Sequence, residues 1–473
     1  MVRVSVLQKL VSSALAVALV VQAPMAYAGQ DAVVNDVSAQ LKRMKGTKSA
    51  FCFAVENGAV TGVNEDVPVR VASVMKTLTT FWAVESLPGG PNYQYATTVS
   101  VQASNHDVHI DGSRDPFFDR DRLFTLLADL NHQGLTHINR LTVDGNFWFW
   151  PRATEIRYLN AGGSGGGRSS RRRHAHSHRS KGRSPAGKYS PRESFVLDQA
   201  HTQATIAGDP QFVKRSLTEG FNTAGWSQSL RDRYQRARAM NPVVALPASV
   251  TMKTDEVDVV SSNPLKGKPG VVVYVSKSAP IKMFLKEMNI YSINAYAEEI
   301  YFSLGGKTAL QTFMAKHGFG REASRVNSGS GVNLSDNPKN RGDTYLTCST
   351  VVRYIRLLDL DLERMKLDLT DVMMAPKLDG GTAKFMNSWE DGSGSFVVKT
   401  GTLRGVKNLA GVEETTSGEV YFGLFLDGPA GTSYGLREGT TGMKKNFRPV
   451  RVAERAYQFA SIGSWSHLQP SRG

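Results

Sequence analysis

The chain has 473 residues, 41% of them hydrophobic and 21% charged, with 44 glycines and 2 cysteines. These proportions exclude collagen, an extended coiled coil and wholesale disorder, and the length suggests two or three domains whose cores rest on ordinary apolar burial. The net charge of +15 is local, because residues 160–192 hold nine Lys and Arg and no acidic residue, more than half of the excess.

Residues 1–28 read as a signal peptide. Arg3 and Lys9 give a positive start, Leu10–Val21 form a short apolar run, and Ala26-Tyr27-Ala28 supplies small residues at the cleavage position. A run of about 12 apolar residues is too short to cross a bilayer, so the mature chain is expected to be exported, into the periplasm, after cleavage near Ala28. Cys52 and Cys348 then meet an oxidising compartment, where they either pair or remain two separate buried thiols.

After the leader, Val33, Val34, Val37, Leu41 and Met44 recur at helical spacing. Ala50–Val63 reads as two strands around the hairpin signal Asn57-Gly58. Ser73–Leu87 carries Met75, Leu78, Phe81, Trp82 and Val84 on helical rows and stops at Pro88-Gly89-Gly90. A helix around Asp121–His132 and a strand near Ile138–Val143 follow. Residues 160–192 are Gly, Ser, Arg and His with almost no aliphatics, a composition expected of a disordered linker. Beyond it, Val250–Val260 and Val271–Val275 look like strands, and Ala295–Leu304 and Tyr354–Leu369 like helices. Ser395–Thr402, Asn408–Glu413 and Val420–Asp427 read as successive antiparallel strands, and Val450–Ile462 as a final helix. Strands at both ends with helices between them suggest one sheet built from the two termini, interrupted by an inserted domain.

Two short patterns carry chemistry. Ser73-Val74-Met75-Lys76 places a hydroxyl and an amine at i and i+3 near a helix start, where the amine can reach the hydroxyl and free N–H groups suit an oxyanion. A serine capping a helix would read the same way. Lys399-Thr400-Gly401-Thr402 ends a strand with a cation, two hydroxyls and a glycine that permits close approach. Alone, it would be a strand ending in a solvated lysine. Together and in this order, the two patterns are far less easily accidental.

With these boxes the sequence resembles the penicillin-interacting serine acyl-transferases, and within them the class C low-molecular-mass penicillin-binding proteins, the D-alanyl-D-alanine carboxypeptidase/endopeptidases of peptidase family S13. Val71–Thr79 is similar to the first active-site box, Met288–Glu298 to the second and Lys399–Gly411 to the third. Asp115-Pro116, Leu123–Leu130, Gly134-Leu135 and Leu141–Asp144 look like the start of the family's inserted domain. Of two S-x-N triplets, Ser292-Ile293-Asn294 stands 107 residues before Lys399 and is followed by Ala297-Glu298, as the family's middle box requires. Ser335-Asp336-Asn337 stands much nearer, after Gly329-Ser330-Gly331, and reads as a turn before Pro338.

The resemblance implies a mixed α/β fold of the penicillin-binding/β-lactamase type, an antiparallel sheet flanked by helices, formed by residues 29–88 and 282–473. Residues 89–281 would be an inserted mixed α/β domain whose nested third domain is reduced or missing. It implies catalytic residues Ser73, Lys76, Ser292 and Asn294, and substrate-binding residues Lys399, Thr400, Gly401 and Thr402. Lys76 would take the proton of Ser73, Ser292 would relay a proton to the leaving amine, and the amides of Ser73 and Thr402 would form the oxyanion hole. The implied substrates are peptidoglycan stem peptides and cross-links, with β-lactams as inhibitors and no cofactor or metal. The basic tract reads first as a solvated linker of no specific role; as a binding segment it would meet an anionic envelope surface rather than nucleic acid, and its His174, His176 and His178 could catch a transition metal. The rival readings are an inactive wall-binding protein and a β-lactamase; for the latter no clear acidic base stands out.

Overall fold

A computed structural model of the chain describes residues 30–43, 48–115, 117–150, 207–240, 245–323, 325–332, 343–388, 394–403, 405–416, 418–428 and 468–471, with scattered positions between 436 and 447. The leader, the tract at 160–192, the Ser335–Asn337 triplet and the expected last helix at Val450–Ile462 lie outside the described residues.

In chain order, α1 (Gln30–Arg43), β1 (Lys48–Val55), β2 (Thr61–Val63) and β3 (Val69–Arg70) lead into a 3-10 turn at Ala72–Val74 and α2 (Met75–Ser86). The next part contains β4 (Ala96–Gln102), β5 (Asp107–Asp111), α3 (Arg120–His132), β6 (His137–Asp144), α4 (Pro210–Gly220), α5 (Gln228–Met240), β7 (Lys253–Val260) and β8 (Val271–Lys277). Then come α6 (Ile281–Tyr291), α7 (Asn294–Ser303), α8 (Gly306–Lys316), α9 (Gly320–Ala323), β9 (Tyr345–Leu346), α10 (Cys348–Arg364) and α11 (Pro376–Asp379). The last strands are β10 (Phe396–Leu403), β11 (Val406–Thr415), β12 (Gly418–Asp427) and the short β13 (Gln469–Pro470).

One sheet runs β10-β11-β12-β1-β2, antiparallel throughout, so its strands come from the two halves of the chain. The hairpin read at Asn57-Gly58 pairs Phe51 with Val63 and Phe53 with Thr61. Alternation along β1 sends Ala50, Cys52 and Ala54 to one apolar cluster and Phe51, Phe53 and Val55 to another. Both faces are therefore covered. Val33, Val37 and Leu41 of α1 pack on the phenylalanine side, while α2, α6 and α10 pack on the alanine side. Helix α2 is buried all round, which explains its run Met75–Val84 of inward-facing residues of every kind, Lys76 included.

The second sheet runs β13-β8-β4-β5-β6-β7 and is mixed: β5–β6 and β6–β7 are parallel, and the other pairings are antiparallel. Its edge strand β13 comes from the C-terminal segment, which the sequence alone grouped with the first sheet; Leu468 enters its core and donates its amide to Asp129 Oδ2 at 2.9 Å. Strands β4 and β5 and helices α4, α5, α6 and α8 are additional to the elements expected from sequence. The two crossings between the sheets lie side by side: Tyr95 N donates to Ser278 Oγ (2.9 Å) and Ser278 N to Tyr95 O (2.8 Å). Phe117 of the inserted part stacks on Phe284 of α6 with ring centroids 3.6 Å apart.

Cys52 and Cys348 form a disulfide, with Cα atoms 5.9 Å apart, closing a loop of 296 residues. Of the two alternatives open in the sequence, the structure takes the bond. It ties β1 to the start of α10, and Gly423 leaves room for it, since a Cβ there would lie 2.9 Å from Cys348 Sγ. Replacing both cysteines by alanine is expected to cost about 2–5 kcal/mol, read as a lower midpoint in guanidinium unfolding; an unchanged midpoint would refute this.

Candidate active site

The turn that carries Ser73 is held from three sides. Arg70, in the strand that enters it, donates Nε to Asp427 Oδ2 (2.8 Å) and Nη1 to Asp343 Oδ2 (3.4 Å). Asn408 of β11 donates Nδ2 to the Arg70 carbonyl at 2.7 Å. Ala72 takes a φ of 49°, a left-handed conformation that costs an alanine about 1–2 kcal/mol. Two glycines make the fit possible. A Cβ at Gly331 would lie 1.9 Å from Ala72 O, and one at Gly401 would lie 2.7 Å from Val71 O and 3.2 Å from Val74 Cγ2. Behind the turn, Thr77 Oγ1 donates to Val74 O at 2.7 Å and lies 3.0 Å from the Tyr354 hydroxyl of α10.

Ser73 thus sits in a 3-10 turn rather than in the first turn of an α-helix, which begins at Met75. The i, i+3 relation survives because the turn runs directly into α2, and residues three apart lie on one side in both kinds of helix. Ser73 is partly exposed; Lys76 is fully buried. Lys76 Nζ lies 3.0 Å from Ser73 Oγ, 2.7 Å from Asn294 Oδ1 and 3.3 Å from Ser330 O. A neutral amine has two N–H bonds and one lone pair. The two carbonyl oxygens accept the N–H bonds, and the lone pair is left for the serine hydroxyl. Burial pulls the Lys76 pKa down to about 7, against the opposing charge of Glu298.

Ser292 caps α6 at a φ of 57°, turning the chain so that Asn294 can start α7 towards Lys76. Its Oγ accepts from Lys399 Nζ at 3.0 Å, and the same Nζ donates to Thr400 O at 2.8 Å. Burial, reinforced by the positive charge of Lys76, holds Lys399 well below the ordinary lysine value. The third box packs beside the first: Gly401 presses on the turn that carries Ser73, while Thr402 is exposed with Lys407 Nζ 3.4 Å from its hydroxyl. Every residue expected at the site among Ser73, Lys76, Ser292, Asn294, Lys399, Thr400, Gly401 and Thr402 therefore falls on these abutting elements.

Other residues join them without having been singled out for a role. Thr382 donates its hydroxyl to Ile290 O (3.2 Å) and accepts from Thr400 Oγ1 (2.8 Å), bridging the second and third boxes. Gly381 makes this approach possible, since a Cβ there would lie 2.5 Å from Ile290 O. The buried pair Lys286–Asp379 ties α6 to the end of α11. Ser330 supplies a carbonyl to Lys76, and Glu298 accepts the amides of Gly329 and Ser330. The Gly-Ser-Gly pattern and the Ala297-Glu298 pair were visible in sequence; that they meet Lys76 was not. Among the described residues no group of three or more His, Cys, Asp or Glu could hold a metal ion.

Comparison with known proteins places this geometry. Residues 30–155 match the model of the D-Ala-D-Ala carboxypeptidase 3 (S13) family. The Bd3459 predatory endopeptidase from Bdellovibrio bacteriovorus, solved in complex with an immunity protein, superposes with a TM-score of 0.66 at 25% identity, over 90% of this chain and 100% of that one. Over residues 30–155 the chain is similar to that family, and its fold is the one these penicillin-interacting proteins share. Two further structures share the fold. The Bd0816 predatory endopeptidase of the same organism has a TM-score of 0.63 at 24% identity, over 89% and 100% of the two chains. Penicillin binding protein 4 (dacB) from Haemophilus influenzae has a TM-score of 0.54 at 15% identity, over 86% and 98%. A search of curated protein sequences found no match.

Proposed function

We propose that the mature chain is an exported serine DD-peptidase that cleaves D-Ala-D-Ala termini, D-Ala–meso-diaminopimelate cross-bridges, or both, in peptidoglycan. The observation that carries this reading is the Lys76 amine, buried and aimed at Ser73 Oγ by two carbonyl acceptors. Ser73 Oγ attacks the D-Ala carbonyl carbon as Lys76 takes its proton. The C–N bond then breaks, the departing amine collects a proton through Ser292, and water hydrolyses the acyl-enzyme. Asn294 would hold the substrate amide, Lys399 the field around Ser292, and Thr400 and Thr402 the terminal carboxylate. Partial exposure of Ser73 beside buried lysines supports entry of a peptide from solvent. That the similar Bdellovibrio proteins are endopeptidases by name favours cross-bridge cleavage.

Export to the periplasm is part of the proposal. It is supported by the leader pattern at residues 1–28 and by a buried disulfide, a bond that persists in oxidising compartments. The tract at 160–192 would rest on an anionic envelope surface.

The test is intact mass after incubation with a penicillin, followed by peptide mapping. The expected result is an adduct equal to the whole drug on the peptide bearing Ser73, absent in Ser73→Ala and lost slowly. Rapid release of penicilloate would favour a β-lactamase. A folded protein that acquires no adduct would leave the wall-binding reading.

A further inference from the structure

Glu298 stands one helical turn after Asn294, so the two side chains leave α7 on the same face. It is fully buried, and the acyl transfer described above gives it no part. Its Oε1 accepts the amide of Ser330 at 2.7 Å and its Oε2 the amide of Gly329 at 3.2 Å. The carbonyl of the same Ser330 accepts from Lys76 Nζ at 3.3 Å, and the next residue, Gly331, abuts Ala72. Glu298 thus reaches the base by two routes, through a short loop and through space.

We propose that Glu298 is a positioning residue of the serine site: its carboxylate fixes the loop whose Ser330 carbonyl orients Lys76, and its charge is the counter-ion of the protonated Lys76. Burial drives Lys76 down to about 7 and Glu298 up to about 7, and each charge opposes the other's shift. Near neutrality the pair shares a proton, which lets the site hold a lysine base without leaving an isolated charge in the interior. Lys399 faces Lys76 from β10, and Tyr301, on α7 itself, faces Glu298. The inference rests on the Ser73–Lys76 reading for its purpose, but not for its measurement.

The test follows Lys76 directly, from the Cε resonance of lysine-labelled protein titrated by NMR, beside the pH profile of penicillin acylation. Glu298→Gln keeps the shape and removes the charge. It is expected to lower the Lys76 midpoint by about one pH unit and to move the acidic limb of acylation down equally. Glu298→Asp keeps the charge on a shorter arm. It is expected to leave the midpoint in place while the plateau rate falls about tenfold. A Lys76 midpoint unchanged in Glu298→Gln overturns the proposal, whatever happens to the rate or to thermal stability. Should that variant not fold, infrared difference spectra of the wild type, with the band identified by its change in Glu298→Asp, must show the carboxyl ionising in the window where Lys76 titrates; a carboxyl that stays protonated throughout overturns it. Absence of any Ser73 adduct with the Lys76 midpoint moved would sink the peptidase reading and leave the coupling standing.

Discussion

Lys76→Met is expected to lower the second-order rate of acylation by a penicillin about 10³-fold, with the melting temperature at neutral pH within a few degrees of wild type. The kinetic loss follows from geometry, because Lys76 Nζ is the basic atom 3.0 Å from Ser73 Oγ, and a thioether cannot take a proton. The small change in stability follows from two opposed terms. Methionine removes a buried amine whose desolvation is costly, but it leaves Asn294 Oδ1 and Ser330 O without a donor, at about 1–3 kcal/mol each. In the wild type the rate should rise tenfold per pH unit below about 7 and level above it, since the unprotonated amine is the reactive form. Stability should respond in two windows. Between about 7 and the ordinary lysine value of 10.5 the unfolded chain holds the extra proton, so Lys76 makes stability rise with pH. Between the ordinary value of 4.5 and about 7 the folded chain holds the extra proton on Glu298, so stability falls with pH. These two groups together put a minimum near neutrality, where the site is expected to work. A stability profile in Lys76→Met that still rises above neutrality as in wild type would show that the lysine is not the group responsible.

Much of this arrangement could be read from the chain because its signals are local. Asn57-Gly58 marked a hairpin, alternation marked β10 to β12, and Ser73-x-x-Lys76 and Lys399-Thr400-Gly401 are contiguous patterns. The choice of Ser292 and Asn294 over Ser335 and Asn337 rests on the 107-residue spacing to Lys399 and on the Ala297-Glu298 pair that follows, and the structure brings Asn294 to Lys76 and Ser292 to Lys399. Other signals were present but weak. Asp209 and Pro210 cap and start α4, with Phe212, Val213 and Leu217 on one face, beside a tract that dominates the composition. Strand β4 buries Thr97, Ser100 and Gln102 along with its valines, which blurs the apolar alternation. What local pattern cannot carry is contact across long separations. The partner of Cys52 lies 296 residues away, and the loop that meets Lys76 is 254 residues from it. The low proton affinity of Lys76 is likewise a product of burial, which i, i+3 spacing does not contain.

Gly331→Ala is expected to destabilise the protein by about 2–4 kcal/mol and to slow penicillin acylation about 10²-fold where the variant is folded. Two costs combine. Gly331 has a φ of +82°, and a Cβ there would lie 1.9 Å from the carbonyl oxygen of Ala72. The first cost is conformational and any alanine would incur it. The second is steric and falls on backbone, so it cannot be relieved by a side chain swinging away. Ala72 is already left-handed and sits between Val71, bonded to Thr344 O at 3.1 Å, and Ser73; a shift of its carbonyl moves Ser73. Gly134→Ala separates the two terms. Its φ of +83° is nearly the same, but no atom lies within 4 Å of the added Cβ, and it stands in the turn after α3, away from the site. That variant should lose about 1 kcal/mol and acylate at the wild-type rate. Chemical unfolding and acylation kinetics on both variants test the argument. Equal losses of stability would mean that the loop at Gly331 yields freely. Wild-type acylation in Gly331→Ala would mean that Ser73 is placed by α2 and β10 alone, and that the Gly329–Gly331 loop serves only Lys76.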